Sequence, residues 1–258
     1  MSYKLKVKSY KVKGILFSFA LLFCSFYVFA APADDAASAY SKQEYKKAIT
    51  LYENILSGGE ASAPLYYNLG NAYYKDNQLG KAIYNYELAK KINPNDDDIK
   101  NNLQLANSKL IDKIETKENF FAGAIKSGIY TLLSTNGWAK LNVISLVLAL
   151  AFFFLFIISG NLLLKRTGFL LGALFAITFV VSFAIGYASL RNLNKKSQAI
   201  ITTQVVQVMN APTSHAKPKF SLHEGTKLNV LSTNEEWTSV QLANGNEGWI
   251  KTQQLGLF

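Results

Sequence analysis

Apolar and small residues between positions 66 and 94 recur at intervals of three and four, the spacing of one face of an α-helix. They fall into two runs, Tyr66, Leu69, Gly70 and Tyr73, then Ala82, Tyr86 and Ala89. The polar, glycine-containing segment 76–80 separates the runs and is typical of a turn. The pattern predicts a pair of antiparallel helices.

Two longer stretches, 141–164 and 167–190, are predominantly apolar and contain no charged residue. A helix of about 20 residues crosses the hydrocarbon core of a bilayer, so each stretch predicts a transmembrane helix. Lys165 and Arg166 lie in the short connection between them, and basic residues in short loops favour the cytoplasmic side. The soluble parts before and after the two spans are therefore expected on the other side.

The N-terminus, residues 1–30, has the pattern of a secretory signal peptide. Lysines precede an apolar run over 14–30, and small residues end it; these lysines are Lys4, Lys6, Lys8, Lys11 and Lys13. We predict cleavage after Ala30 or Ala31, with an uncleaved anchor as the alternative. Either version delivers residue 31 onward across a bacterial inner membrane, so both soluble parts are expected in the periplasm.

The segment before the first span, 119–140, carries an apolar stripe at helical spacing, and Trp138 lies near its end. This arrangement predicts an amphipathic helix that lies on the membrane surface, with the tryptophan at the interface.

In residues 197–258 the pattern of apolar residues changes from that of helices to that of β-strands. Short segments rich in β-branched and aromatic residues follow one another, and Asn244 with Gly245 predicts a hairpin turn between the last two. About sixty residues of this kind predict a small all-β barrel.

A repeat is visible in the first soluble part. Tyr40, Ala48 and Tyr52 recur 34 residues later as Tyr74, Ala82 and Tyr86. A period of 34 with Leu-Gly, Tyr, Ala, an aromatic residue and Pro at set places is the tetratricopeptide repeat (TPR) signature. Residues 66–94 fill it, with Tyr66 where tryptophan is more usual, whereas the repeat over 34–56 matches less well. Residues 31–118 therefore resemble an all-α TPR solenoid.

A capping helix is expected after Pro94. Fewer than three full repeats make a marginal solenoid, so we expect the array to lean on a partner chain or on another part of itself.

The repeat face that stays free of helix packing is the candidate partner-binding groove. Its candidate residues are Tyr40, Tyr67, Asn71, Tyr74 and Asn101. Tyrosine and asparagine suit an extended peptide or a helix, because they combine aromatic area with hydrogen bonds. Ordinary solvent exposure is the alternative for each.

Small residues follow one face of the second span, at Gly168, Gly172 and Ala176. Small residues four apart let membrane helices approach closely. The face is expected either to pack against the chain's own first span or to dock another membrane protein.

The segments "LHEGTKLNVL", "EEWTSVQL" and "NGNEGWI" resemble a bacterial SH3 domain. The resemblance implies that Trp237 and Trp249 contact a protein partner or cell-wall peptides; packing within the barrel is the alternative.

The order of the parts resembles the BatE proteins of the Bacteroides aerotolerance operon family. "DIKNNLQLANSKLIDKIE", "LLSTNGWAKL" and "LHEGTKLNVL" carry the likeness. The resemblance implies that the protein acts together with membrane proteins that carry von Willebrand factor A domains and with a MoxR-type ATPase, in envelope stress or aerotolerance.

Charge and chemistry narrow the function further. The formal charge of +10 arises at the lysine-rich N-terminus and at the membrane borders, so it is a topology signal and no nucleic-acid partner is expected. Cys24, the only cysteine, lies in the signal segment. His215 and His223 have no cysteine or carboxylate cluster at ligand spacing, so no metal or cofactor is expected.

The sequence shows no catalytic motif, so no enzyme activity is expected. It predicts a multidomain membrane protein that acts as a non-enzymatic scaffold for protein partners. The alternative is a sensor or anchor that binds peptidoglycan through the SH3-like domain.

Overall fold

The computed structural model describes residues 31–114, 132–193 and 195–258. The predicted signal peptide and most of the predicted interfacial helix lie outside these ranges; residues 135–140 belong to a membrane helix instead. The first soluble part consists of α1 (Ala31–Ser41), α2 (Tyr45–Ser57), α3 (Ala63–Lys75), α4 (Leu79–Ile92) and α5 (Asp97–Ser108). Neighbouring helices along the chain pack against each other, which confirms the predicted helical array.

The predicted hairpin is formed by α3 and α4. Gly70 of α3 lies against the Tyr86 ring of α4 so closely that a Cβ at position 70 would be 2.7 Å from two ring carbons. Ser62 caps α3 by accepting a hydrogen bond from the Leu65 amide at 3.3 Å. The turn is shorter than predicted, because α4 already begins at Leu79 and Gly80 lies in its first turn.

The flanking helices pack with small residues. In α1 and α2, the side chains of Ala36, Ala39 and Ala48 are buried, so the pair forms without the Leu-Gly of the full signature. The cap, α5, begins after Asp96, whose carboxylate accepts hydrogen bonds from the amides of Asp98 and Ile99.

Two helices are long and apolar enough to cross a membrane, α6 (Thr135–Ile158) and α7 (Leu162–Leu193). They turn at residues 159–161, earlier than the predicted connection, so Lys165 and Arg166 lie within α7. The basic residues Lys165 and Arg166 suggested that the connection between the two helices lies at 165–166, but local hydrogen bonding places it earlier. Ser159 is extended and ends α6, and the Asn161 side chain accepts a hydrogen bond from the Leu163 amide at 2.9 Å.

The small residues of α7 face α6. A Cβ at Gly168 would be 3.0 Å from the Phe152 carbonyl oxygen, and one at Gly172 would be 3.5 Å from the Phe153 nitrogen. Ala176, in contrast, is exposed. Phe175 packs against α6 instead, and its ring stacks on that of Phe152. Because a helix has 3.6 residues per turn, residues at successive steps of four drift around it, and Phe175 rather than Ala176 stays on the packed face.

A polar contact also joins these two helices. The Asn142 amide of α6 donates hydrogen bonds to the Ser182 hydroxyl and the Phe179 carbonyl of α7, both at 3.2 Å. Such bonds between helices fix their register in an apolar surrounding.

The C-terminal part is an antiparallel sheet of seven strands. They are β1 (Gln198–Ile201), β2 (Val205–Met209), β3 (Pro218–His223), β4 (Lys227–Thr233), β5 (Trp237–Gln241), β6 (Glu247–Lys251) and β7 (Leu255–Leu257). Their order is β3–β2–β6–β5–β4–β1–β7, so β3 and β7 are edges and the sheet is open. The closed barrel expected from the sequence is therefore not what these residues form. The helical array instead packs on one face of β1 and β7, through Ile200 and Gly256.

Strand β1 is buried on both faces. Ala199 and Ile201 belong to the apolar core of the sheet, whereas Ile200, on the opposite face, joins the core of the helical array. Phe258 joins the helical core as well, and Gly256 lies flat against the ring of Tyr84 in α4, where a Cβ would be 2.5 Å from a ring carbon. The array therefore leans on its own chain, through α4.

The sheet also caps α4. Gln78, at the N-cap position, makes no side-chain cap, and the Gly80 amide instead donates to the Glu224 carboxylate at 2.7 Å. A negative charge at a helix N-terminus is stabilising. Only glycine fits at position 80, because a Cβ there would be 2.5 Å from the Ile201 carbonyl oxygen.

One salt bridge and one hydrogen-bonded carboxylate reinforce this interface. Lys227 of β4 pairs with Glu87 of α4 at 3.0 Å. Asp112, after α5, accepts hydrogen bonds from the His223 amide at 2.6 Å and the Thr226 hydroxyl at 2.8 Å, and its other oxygen lies 2.9 Å from the His223 ring nitrogen.

Both soluble parts lie at one end of the α6–α7 pair. Lys91 of α4 donates to the carbonyl of Lys195, just after α7, at 2.9 Å. Asn95 donates to the carbonyl of Leu132, just before α6, at 3.3 Å. These contacts attach the array to the ends of both membrane helices.

We predict that Asp112→Asn weakens the helix–sheet interface. Burial raises the pKa of Asp112, but the hydrogen bonds from His223 and Thr226 outweigh it and lower that pKa below its usual value. The carboxylate therefore contributes stability that is present above about pH 4 and is lost as the pH falls through the lowered pKa.

At neutral pH we expect the variant to lose about 1–3 kcal/mol of unfolding free energy, the range for lost hydrogen bonds to a partly buried carboxylate. Thermal unfolding of the detergent-solubilised protein across pH measures this. The difference from the unsubstituted protein should shrink below about pH 3. Asp35→Asn, at an exposed site in α1, is the matched control. An equal effect of both substitutions would contradict the assignment.

Candidate functional site

The candidate groove is a cavity of about 300 Å³ between α1, α3, α4 and α5. Residues of α3 separated by three or four positions form its centre, because these spacings place side chains on one helix face. The lining consists of Tyr40, Tyr67, Asn71, Tyr74, Lys75, Tyr86, Asn102 and Leu105.

A hydrogen-bond network forms the floor of the groove. The Asn71 side-chain oxygen accepts from the Tyr86 hydroxyl at 2.7 Å and from the Asn102 amide at 2.9 Å. The Asn102 amide also donates to the Tyr67 hydroxyl at 2.9 Å. Asn71 thus joins α3, α4 and α5, and the network fixes the spacing of the helices that line the groove.

The rim of the groove is cationic and partly apolar. The Lys109 ammonium lies 4.5 Å above the centre of the Tyr74 ring. Lys75, which follows Tyr74 in the sequence, also lines the cavity. Leu105 is 52% exposed and adds apolar area to the rim. Among the described lining residues none carries a carboxylate, so the groove presents positive charge beside aromatic rings.

Two tyrosines of the groove, Tyr40 and Tyr86, have a raised pKa. Burial, followed by the neighbouring tyrosines, raises the pKa of Tyr86 far above its usual value. Burial also raises the pKa of Tyr40, with further contributions from Tyr45 and Tyr67. Their hydroxyls therefore stay protonated at physiological pH, and that of Tyr86 donates to Asn71.

Four of the five predicted groove residues line this cavity together, namely Tyr40, Tyr67, Asn71 and Tyr74. Asn101 does not line it, because it is exposed and its neighbour Asn102 takes that position. Asn102 and Leu105 are three residues apart on one face of α5, whereas Asn101 points about 100° away from Asn102 around the helix. Tyr86 is buried in the helical core, and its hydroxyl also reaches the groove floor.

The two tryptophans of the sheet are not brought into one cavity. Trp237 is buried and lines a cavity of about 470 Å³ whose other residues are polar or charged apart from Pro212. Trp249 pairs with Ser239 on β5 and with Met209 on β2, and it is not part of that lining. The two rings share a sheet face, since Ser239 follows Trp237 by two positions.

Across the described ranges, no three His, Cys, Asp or Glu side chains lie close enough together to hold a metal ion. His223 is engaged with Asp112 at the helix–sheet interface.

Comparison with protein families gives a match to the tetratricopeptide repeat over residues 63–96. These residues comprise α3, the turn, α4 and the four residues that follow it, the part that carries Tyr67, Asn71, Tyr74 and Tyr86. No curated protein and no solved structure gives a significant match to the chain. The repeat indicates a role in binding other proteins.

We predict that Asn71→Ala loosens the groove, because it removes the shared acceptor of Tyr86 and Asn102. An unpaired buried donor costs about 1–3 kcal/mol, so thermal unfolding should report a loss in that range. Asn101→Ala replaces the same residue type in the interior of α5 at an exposed position and should change stability by less than about 0.5 kcal/mol. Equal effects of the two substitutions would disprove the role of the network.

Proposed function

We propose that this protein is a non-enzymatic, membrane-anchored scaffold that holds a partner protein in the groove of its repeat helices. The observation that carries the proposal is the Tyr67–Asn102–Asn71–Tyr86 network, which joins three residues of the matched repeat to Asn102 in the next helix. It leaves a preformed cavity lined by aromatic rings and amides. Preformed sites bind with a smaller loss of conformational entropy than sites that must order on binding.

The lining indicates the chemistry of the ligand. Tyr40 and Tyr74 offer aromatic faces, and Leu105 offers exposed apolar area. Lys75 and Lys109 add positive charge at the rim. An extended segment with an apolar side chain and a nearby carboxylate satisfies all three features, because each would gain a complementary contact.

The membrane helices set where this binding takes place. The signal-like N-terminus and the position of both soluble parts at one end of the α6–α7 pair support a periplasmic location at the inner membrane. With the resemblance to the BatE family, this supports partners that are membrane proteins with von Willebrand factor A domains. The complex would act in aerotolerance or envelope stress.

A second candidate function is binding of the cell wall through the SH3-like domain. The cavity beside Trp237 favours it, because it combines an aromatic ring with the exposed carboxylates of Glu235 and Glu236 and the ammonium of Lys251. Such a mixed lining suits a ligand that carries both an amine and a carboxylate, as the peptides of peptidoglycan do.

Photo-crosslinking in living cells separates the two functions. A photoreactive residue replaces Tyr74 in the groove, Glu235 at the cavity rim, or the exposed Asn101 as a control. We expect Tyr74 to capture a membrane protein with a von Willebrand factor A domain and Asn101 to capture none. Capture of wall fragments alone at Glu235, with nothing at Tyr74, would contradict the scaffold and support wall binding.

A further inference from the structure

A second cleft, of about 610 Å³, lies between the helical array and strand β7. It shares no lining residue with the groove. Helices α2, α3 and α4 form one wall, through residues such as Glu53, Tyr73 and Lys81, and Leu255 to Leu257 of β7 form the other. Ligand sites commonly have volumes of about 300–1,000 Å³ and occur where two folded units meet.

Strand β7 presents an unpaired edge to this cleft. It pairs with β1 in register Ala199–Leu257, Ile200–Gly256 and Ile201–Leu255. Gln198 and Phe258 exchange both backbone hydrogen bonds, and in an antiparallel pair every second residue pair does so. The backbone groups of Leu255 and Leu257 therefore point away from β1.

Two of these outward groups are already used locally. The Leu255 amide donates to the Thr252 carbonyl, and the Leu257 carbonyl accepts from the Tyr84 hydroxyl at 3.3 Å. The Leu257 amide and the Leu255 carbonyl remain, and among the described residues no further strand lies beside β7. This donor and acceptor match the groups that an added strand presents.

The charges at the cleft favour an acidic ligand. The Lys81 ammonium lies 5.1 Å above the centre of the Tyr73 ring, and Lys196 is exposed at the other wall. The carboxylate of Glu53 accepts a hydrogen bond from the Tyr73 hydroxyl, so the one acidic residue of the lining is engaged. Two lysines thus line the cleft beside a strand edge.

We propose that this cleft binds an extended acidic segment of a partner protein, which adds to β7 as a strand and places its carboxylates near Lys81 and Lys196. The edge is only three residues long, so the backbone contacts set the orientation and the charges contribute much of the selectivity. Since it shares no residue with the groove, the inference stands or falls independently of the proposed function.

The test uses the full chain in detergent and a fluorescent hexapeptide of alternating valine and glutamate. We expect it to bind at least tenfold more tightly than the peptide with lysine in place of glutamate. Two further peptides carry N-methyl groups on all valine amides or on all glutamate amides. At least one of these should lose tenfold in affinity, because the amides that face β7 alternate along a strand.

Substitutions of single lysines test whether the peptide binds in this cleft. Lys81→Glu should weaken binding at least tenfold, Lys81→Arg should keep it within about threefold, and Lys75→Glu, in the groove, should leave it unchanged. Hydrogen exchange of the fragment that contains Leu257 should slow when the peptide is present. Three results would each overturn the proposal: equal binding of the acidic and basic peptides, full binding of both methylated peptides, or loss of binding in Lys75→Glu but not in Lys81→Glu.

Discussion

The structure depends on helix α4 being covered on both sides. Tyr86 faces α3 and the groove, whereas Gly80, Ile83 and Tyr84 meet the C-terminal sheet. Side chains around almost the whole helix are buried, including the polar Asn85 and Glu87. Two and a half repeats do not stack enough neighbours for a stable solenoid, and the sheet supplies the missing cover. The stability of the groove therefore depends on a part of the chain, the C-terminal sheet, that follows α6 and α7 in the sequence.

This arrangement connects the two candidate membrane helices to the groove. The N-terminus of α4 is capped by Glu224 from the sheet, and Lys91 near its C-terminus holds the backbone next to the end of α7. The same helix carries Tyr86 into the groove network. A partner in the groove would be held close to the bilayer at a fixed orientation, as a membrane-anchored scaffold requires.

The helical spacing of small and apolar residues was sufficient to predict the helices of the array, because Gly70, Ala82 and Tyr86 lie directly at a helix–helix contact. It was insufficient where the outcome depended on distant parts of the chain. β1 and β7 are too short to show a pattern, and their burial comes from α4 rather than from barrel closure. Gly80 was assigned to a turn, although its role is to let the backbone of Ile201 approach. Ala176 was one position from the packed face, an error that repeated four-residue steps introduce. Asn101 was one position from Asn102, which lines the groove.

The central claim is that the sheet docks on α4, and zero-length crosslinking tests it directly. A carbodiimide joins a carboxylate to an amine only when the two are in contact, and Glu87 and Lys227 lie 3.0 Å apart across the interface. In intact membranes we expect a crosslinked peptide pair that contains these two residues, and its loss in Lys227→Arg. Absence of this product, while the local pair of Glu44 and Lys47 at 3.2 Å still forms, would show that the sheet does not pack on the repeats.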